Sequence, residues 1–528
     1  MVAFRFHKKS YKIFFAVILS ITIILLIGLA TIDINSDLAT ADQLKETFES
    51  IKYSFKEAGL DDFLKIPGNL VKWSSDTFTT TIDDNGDDFI EEELENDEIS
   101  DTTPNQYASE YGFDYGETFK TNVETIWKGL FTPLYYVYST GKDEHGKGEL
   151  LYKTTTDAAL SDLFEEGELE KFDSLLDISK DYDKMFKSEE ELKKEPIKAC
   201  FMSLVRNEEL EKLIPSIKRI EERFNKNYNY TYIFFNDVPF TEEFEKKVNE
   251  TINPKSKVKY IQLPEEMWSY PDFIDEEEAA NTREKMKKII YGGSESYRHM
   301  CRFNSKWFYH HPAMAEFDYY WRIEPNTGIY CDVDYDIFEY MNNNKFVYGF
   351  TISLYEWEET VPDLWPTTKN FIQQKPHFLN NNNLIKFISD DDGEFYNQCH
   401  FWSNFEIANL NFYRSMQYQT YVEYLDRTGI FYYERAGDAP VHSIAASLFL
   451  PKEAVTFLNQ VSYQHPPFLH CPIEKDVYKQ YNCDCNQNYD FTFQGYSCGI
   501  RYYDANNIEK PAGYERFQHK KNKRFLSW

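Results

Sequence analysis

The sequence predicts an α/β fold whose sheet is led by parallel strands, and three observations carry that prediction. Strand-like and helix-like patterns alternate between residues 197 and 263, the signature of parallel strands joined by right-handed crossovers. About 330 residues follow Glu195, enough for one large α/β domain or two closely packed ones. All eight cysteines lie beyond residue 199, and the acidity of the chain drops at about the same place.

From the N-terminus, Arg5, Lys8, Lys9 and Lys12 precede an uncharged run at 13–32, IFFAVILSITIILLIGLATI. Its 20 residues suit a helix crossing a hydrocarbon core of roughly 30 Å. Asp33 and Asp37 follow. Positive charge before the span and acid after it predict a cytosolic tail at 1–12, a signal anchor at 13–32 and a lumenal remainder, the single-pass type II arrangement. A cleaved signal peptide is the competing reading, because Gly28-Leu29-Ala30 offers small residues, but the apolar run is longer than a usual signal core.

Residues 33–195 carry 41 acidic against 16 basic residues, whereas 196–528 carry 47 against 37, in a chain of net charge −31. Acidity concentrated in this way, including DDNGDDFIEEELENDEISD at 83–101, repels itself and reads as a solvated stem. No basic stripe accompanies it, which disfavours nucleic-acid binding. Apolar residues at 115–138 and 160–178 suffice for short helices that pack on the domain downstream.

The domain at 196–528 opens with IKACFMSLV at 197–205, a buried-strand run. A helical pattern at 208–225, a strand at 230–235, a helix at 242–251 and a strand at 258–263 follow. Ligands of such sheets bind beyond the carboxyl ends of the strands, where the strand order switches. The turn Val205-Arg206-Asn207 lies at such an end. No strand is followed by GxGxxG or GxxxxGK[ST], so dinucleotide hydride transfer and P-loop chemistry lack their phosphate-cradling glycines.

The second half supplies candidate chemistry. YYWRIE at 319–324 is an apolar strand ending in a carboxylate, followed by Pro325-Asn326 and then Asp332, Asp334 and Asp336. Acids at a strand end suit a divalent cation that neutralises a leaving diphosphate. Asp332-Val333-Asp334 has the DxD form of such ligands, although Asp332 and Asp334 serve equally well as hydrogen-bonding residues that hold their loop. Aromatic residues make up 17% of the chain. Trp357, Trp365 and Trp402 are candidates for a sugar groove, with core packing as the commoner use of such rings.

The even cysteine count (Cys200, Cys301, Cys331, Cys399, Cys471, Cys483, Cys485, Cys498) predicts disulfides on the oxidising side of a membrane without choosing their pairing. Cys483 and Cys485 read better as disulfide partners than as zinc ligands, whose thiolates are usually spaced CxxC. The sequons at Asn229 and Asn249 are compatible with lumenal exposure.

Eight segments in order, SLVRN at 203–207, SYRHMCRF at 296–303, YYWRIEP at 319–325, CDVDYD at 331–336, QCHFWSNFEI at 398–407, YLDRTGIFYYERAGDAPVHS at 424–443, YQHPPFLHCP at 463–472 and DFTFQGYSC at 490–498, resemble the fungal family of Golgi α-1,2-mannosyltransferases, glycosyltransferase family 15. The resemblance covers roughly residues 197–513. It implies a GT-A type, Rossmann-like nucleotide-sugar-binding domain with a mixed central sheet. It also implies manganese and GDP-mannose as cofactor and donor, mannose-terminated glycans on glycoproteins as acceptors, retention of configuration, and a Golgi membrane setting in cell-wall mannan synthesis. Transferred position by position, Glu406 corresponds to the proposed nucleophile, His465 to a manganese ligand, and Glu324 to the place where many GT-A enzymes carry a metal-binding acid. Tyr297 and Arg302 match the donor-contacting motif, Arg322 lies next to that site, and Asp438 matches an acceptor-contacting carboxylate or base. Asn326 departs from the pattern, since many members carry an acid there.

These roles fit the residue types. Retention by double displacement needs a carboxylate on the sugar face opposite the leaving group, and Glu406 lies between apolar walls, Trp402 and Phe405, that limit water. A front-face mechanism, with Glu406 stabilising an oxocarbenium-like state, and a purely structural carboxylate buried against arginine or against tyrosine hydroxyls are the other readings. His465 precedes Pro466-Pro467, a rigid setting for a ligand, and His442 reads as structural. Transfer of mannose 1-phosphate, a non-catalytic lectin-like scaffold of a Golgi complex, and a glycosidase are the alternative functions. Both Glu406 and His465 speak against the scaffold, and the metal-site residues against the glycosidase.

Overall fold

The computed structural model describes Leu130 and residues 158–518. The expected cytosolic tail, membrane span, helices at 115–138 other than Leu130, and most of the acidic stem lie outside the described residues. Among the described residues no helix is long and apolar enough to cross a membrane.

The expected alternation is realised as β1 (Ala199–Leu204), helix α1 (Leu210–Arg223), β2 (Thr231–Asn236), helix α2 (Glu242–Thr251) and β3 (Val258–Gln262). Helix α1 forms because Leu210, Leu213, Ile217 and Ile220 recur at helical spacing and are buried. Helix α2 starts at Thr241, whose side chain accepts from the Phe244 amide, and carries three glutamates at its positive end. Helix α3 (Glu295–Arg302) follows, then β4 (Tyr319–Arg322), β5 (Gly328–Ile329), β6 (Tyr348–Phe350), β7 (Ser353–Tyr355), β8 (Cys399–Phe401) and β9 (Ile407–Asn409). Helices α4 (Met416–Arg427) and α5 (Asp438–Phe449) precede β10 (Val455–Phe457), β11 (Tyr463–His465) and β12 (Phe468–His470).

Seven strands form the main sheet in the order β10-β6-β9-β4-β1-β2-β3. Every adjacent pair is parallel except the two made by β9, which runs antiparallel to β4 and β6. The chain leaves β1 toward β2 and β3, then returns to the other side of β1 as β4. The switch in strand order therefore falls between β1 and β4, and their carboxyl ends define the cleft where a ligand of this fold binds. Because β9 is reversed, its first residues lie level with the end of β4, and the Arg322 amide donates to the Glu406 carbonyl at 2.9 Å.

Both faces of the sheet are buried, so its strands read as continuous apolar runs. Phe201, Tyr232 and Trp321 pack with α1 on one face, and Tyr320, Tyr348 and Ala408 pack with α4 and α5 on the other. The second core also takes in Leu160, Phe164, Phe172, Ile178 and Met185. Glu168 pairs with Arg427 at 2.7 Å, and Asn409 Nδ2 donates to the Met185 carbonyl at 2.8 Å. The packed body therefore extends N-terminal of residue 196, where composition places its edge. The acids of this segment are arranged around a narrow apolar seam, so the average charge hides the contact.

Six cysteines pair as Cys331–Cys483, Cys399–Cys498 and Cys471–Cys485, and Cys200 and Cys301 are buried and free. Two of the bridges join segments 152 and 99 residues apart, which restricts the unfolded chain strongly.

Candidate active site

β4 delivers a central cation to the switch point. Along it Tyr319 and Trp321 face α1, Tyr320 faces the opposite layer, and the two-residue period sends Arg322 the same way as Tyr320. Arg322 is buried. Its Nε and Nη2 reach Glu324 Oε1 at 2.8 and 2.7 Å, and its Nη1 meets Asp438 Oδ2 at 2.5 Å. Ser403 Oγ donates to the same Asp438 oxygen at 2.7 Å. Burial works against ionisation of Asp438, yet Arg322 and the hydroxyl of Ser403 hold its carboxyl below the usual carboxylate range. Burial dominates at Glu324 and raises its carboxyl above the ordinary value in spite of Arg322.

Helix α5 lies along this face and begins at Asp438, so its next inward turn presents His442. Glu406, the residue before β9, is 1% exposed. Its carboxylate accepts from the Tyr320 hydroxyl, from the Tyr348 hydroxyl at 2.6 Å and from His442 Nδ1 at 3.0 Å. Arg322 with Glu324 and Asp438, and His442 with Glu406, thus gather five ionisable side chains at the carboxyl end of β4.

The structure brings Tyr297 to the rim of this cluster. Its hydroxyl accepts from Arg435 Nη1 at 2.9 Å, and its ring stacks on Tyr291 at 4.7 Å and 8°. Burial raises the Tyr297 hydroxyl well above its ordinary value, and the Glu356 and Asp438 charges add to that. Arg206, at the end of β1, donates to Ser296 Oγ beside it at 2.7 Å. Trp402 packs its ring on His465 at 4.9 Å, whereas Trp365 is a core residue whose Nε1 donates to the Gly393 carbonyl and Trp357 lies exposed.

Arg302 is not brought into the cluster. It grips Asp426 with two buried bonds of 2.7 and 2.9 Å, and the partly buried Lys306 adds a third at 2.6 Å. Burial alone would raise Asp426, but Lys306 and Arg302 carry it down to about 2. A depressed carboxylate adds stability that is present above its unfolded value near 4 and is lost as pH falls toward 2. Arg302→Met is accordingly expected to lower the melting temperature, a broken buried pair being worth roughly 3–5 kcal/mol, with the donor KM unchanged. An unaltered melt with a raised donor KM would return Arg302 to the donor site.

The DxD acids are also placed elsewhere. Asp332 accepts from Arg223 Nη1 at 2.6 Å and Asn482 Nδ2 at 3.0 Å, pinning the segment bridged by Cys331–Cys483. Asp334 is exposed, and Asp336 caps the helix Ile337–Asn343.

The donor set at the cleft nevertheless fits a divalent cation. β11 pairs antiparallel with β5, Gln464 opposite Gly328, and one further step of that register puts His465 level with Thr327, three residues from Glu324. His465 Nδ1 faces its neighbour Pro466's carbonyl at 3.1 Å, which leaves Nε2 without a partner among the described residues. Burial, helped by Arg322, lowers the His465 imidazole below its ordinary value and keeps it in the neutral, ligating form. Glu324 has Oε1 in the Arg322 fork, and among the described residues its Oε2 accepts no hydrogen bond. No three His, Cys, Asp or Glu residues cluster as a closed metal cage among the described residues. An open site of one carboxylate and one imidazole suits an ion that completes its shell with diphosphate oxygens and water. Asn326 is exposed with φ 62°, a conformation asparagine tolerates well, so its departure from the family pattern leaves Glu324 in place.

Sequence reasoning passed over Tyr320, Tyr348 and Ser403. Their hydroxyls are indistinguishable in the sequence from those of the other core tyrosines and surface serines. His442, read as structural, proves to touch Glu406 directly.

Comparisons with known proteins place the chain among glycosyltransferases. The family model described as Glycolipid 2-alpha-mannosyltransferase matches residues 168–507. The glycolipid 2-alpha-mannosyltransferase of Saccharomyces cerevisiae is 52% identical over 322 residues, covering 61% of this chain and 72% of that one. Among solved structures, core-mannan synthase A of Aspergillus fumigatus in its Mn/GDP-form is 39% identical with a TM-score of 0.55, over 63% of this chain and 90% of that one. The mannosyltransferase Ktr4p of Saccharomyces cerevisiae in complex with GDP is 31% identical with a TM-score of 0.58, over 74% of this chain and 97% of that one.

Proposed function

The chain belongs to the glycolipid 2-alpha-mannosyltransferase family, and we propose that it moves mannose from GDP-mannose to the 2-hydroxyl of a terminal mannose on N- or O-linked glycans, with retention at the anomeric carbon. The observation that carries this reading is the buried Arg322–Asp438 pair with Glu406 beside it, at the switch point of a mixed sheet of GT-A type.

Each charge has a task in such a transfer. Asp438, kept ionised by Arg322, is the acceptor-facing base that takes the proton of the attacking hydroxyl. Glu406 meets the positive charge that develops at the anomeric carbon. Tyr297 and Arg435 form the polar rim nearest the donor. Glu324 and His465 would hold Mn2+, which would supply positive charge to offset the negative charge of the leaving diphosphate. The lumenal, Golgi-anchored setting is part of the proposal, supported by the charge asymmetry around residues 13–32 and by three disulfides.

The test is donor turnover by the fragment from residue 158 onward with GDP-mannose, Mn2+ and α-methyl mannoside, followed by linkage analysis. An α-1,2-linked mannobioside whose formation stops on chelation supports the reading, and a phosphate-linked product replaces it with mannose 1-phosphate transfer. His465→Ala is expected to raise the Mn2+ concentration for half-maximal rate at least about tenfold. Because the wild-type imidazole is held below the ordinary histidine value, activity at limiting Mn2+ persists below pH 6.5, the ordinary histidine value, as the pH falls. Unchanged metal dependence in the variant would remove His465 from the metal.

A further inference from the structure

His442 is closed off from solvent between two acceptors. Its Nε2 lies 3.0 Å from the Asn304 carbonyl, and its Nδ1 lies 3.0 Å from Glu406 Oε2. A carbonyl oxygen only accepts, and so does an ionised carboxylate, so with Glu406 ionised, as the proposed transfer requires, both ring nitrogens carry protons. The remaining bonds to Glu406 come from the Tyr320 and Tyr348 hydroxyls, each with a single proton to give. Tyr320 oxygen lies 3.2 Å from the Tyr413 hydroxyl, which completes a donor chain aimed at the carboxylate.

We propose that His442 is the positioning residue of the transfer site, an imidazolium that locks the Glu406 side chain in place and keeps it an anion while sugar is bound. This rests on the reading of Glu406 as the carboxylate at the anomeric carbon. A carboxylate shut away from water needs a fixed positive partner to stay ionised, and Arg322 is committed to Asp438 and Glu324. The two helical residues Asp438 and His442 therefore divide the work. One receives the charge of Arg322 and the other supplies charge to Glu406.

The charged surroundings of the imidazole are few. Glu406 faces it from the start of β9, Asp438 from its own helix and Arg322 from β4. Tyr320, Tyr348, Tyr413 and Tyr418 close it in, the last with its ring 6.1 Å away. On the neighbouring elements, Lys306 is engaged by Asp426 and Glu423, Lys386 is exposed, and His400 answers to Glu356, Arg435 and Asp438. Burial opposes the imidazolium, and the hydrogen-bonded Glu406 raises its titration above the ordinary histidine value. A raised cation is present at low pH and is lost as pH rises through its folded value, so turnover declines on the alkaline side.

The experiment compares His442→Asn with wild type and Glu406→Gln, each followed by melting, donor KM and the pH profile of kcat. The Asn side chain retains one neutral donor near the Nδ1 position but no charge. It is expected to melt cooperatively, keep the donor KM within about threefold, lose about tenfold or more in kcat, and show an acid limb moved to higher pH. An Asn variant with wild-type kcat and profile overturns the proposal, as does one whose loss is confined to thermal stability. If the Asn variant does not fold, the wild-type profile decides, because a kcat that holds level up to pH 10 leaves no role for an imidazolium. Tyr348→Phe, which spares the imidazole, should lower kcat and keep the alkaline limb, and loss of that limb would assign it to the tyrosine instead. An active Glu406→Gln enzyme would instead remove the underlying reading, whatever His442 does.

Discussion

Glu406→Gln is expected to abolish sugar transfer, with kcat lower by about 10³-fold or more, while the donor KM stays within a few-fold of wild type. The carboxylate is hydrogen-bonded to Tyr320, Tyr348 and His442, and the rim is held by its own bond between Tyr297 and Arg435. Its loss therefore changes the charge at the reacting carbon and not the hold on the nucleotide. Glutamine has the same shape, and a tyrosine hydroxyl can turn to accept from its amide, so the fold survives. The imidazolium of His442 then loses its counter-charge and titrates lower, moving the alkaline fall of any residual activity to lower pH. A folded Glu406→Gln enzyme turning over at the wild-type rate would reduce Glu406 to a core carboxylate.

Much of the fold was legible from residue order. The strand expected at 258–263 appears at Val258–Gln262, and the helix at 242–251 appears with the same limits, because a two-residue and a 3.6-residue apolar period survive in single sequences. What stayed hidden is the reversal of β9. Its three residues, Ile407–Asn409, carry no mark of direction, yet that reversal sets Glu406 beside Arg322. The packing of 160–178 on the domain was legible from its apolar residues, and Leu160, Phe164, Phe172 and Ile178 do join the core, whereas the boundary at 196, drawn from charge, falls inside the packed body. At the site, Glu324, Arg322, Asp438, Glu406 and His465 were all named from motifs. Arg302 was drawn toward the donor by its motif, and its partner Asp426, more than a hundred residues away, is what claims it. A residue type shows what a side chain is able to do, and its neighbours decide which of those things it does.

Arg322→Met should be the most damaging change on the cationic side, because one guanidinium serves two carboxylates, Asp438 buried and Glu324 partly buried. Methionine fills much of the aliphatic volume and leaves Asp438 Oδ2 and Glu324 Oε1 without their cation. A buried charge stripped of its partner costs roughly 3–5 kcal/mol unless it is neutralised, so both acids are expected to take up protons in the folded state. For Asp438, which Arg322 holds below the ordinary value, the direction of the shift reverses. The variant becomes relatively more stable as pH falls, opposite to the wild-type contribution of this group, whose stabilisation is lost on acidification. Protonated Asp438 is too weak a base to take the proton of the acceptor hydroxyl, and a neutral Glu324 is a poor metal ligand, so kcat should fall about 10²-fold or more while half-saturation by Mn2+ rises. Melting curves and turnover between pH 5 and 9 separate the two effects: raising the pH should recover part of the rate as the acids ionise again, at the expense of the melting temperature. A variant with normal metal dependence and a pH profile parallel to wild type would show that Arg322 only fills space at the end of β4.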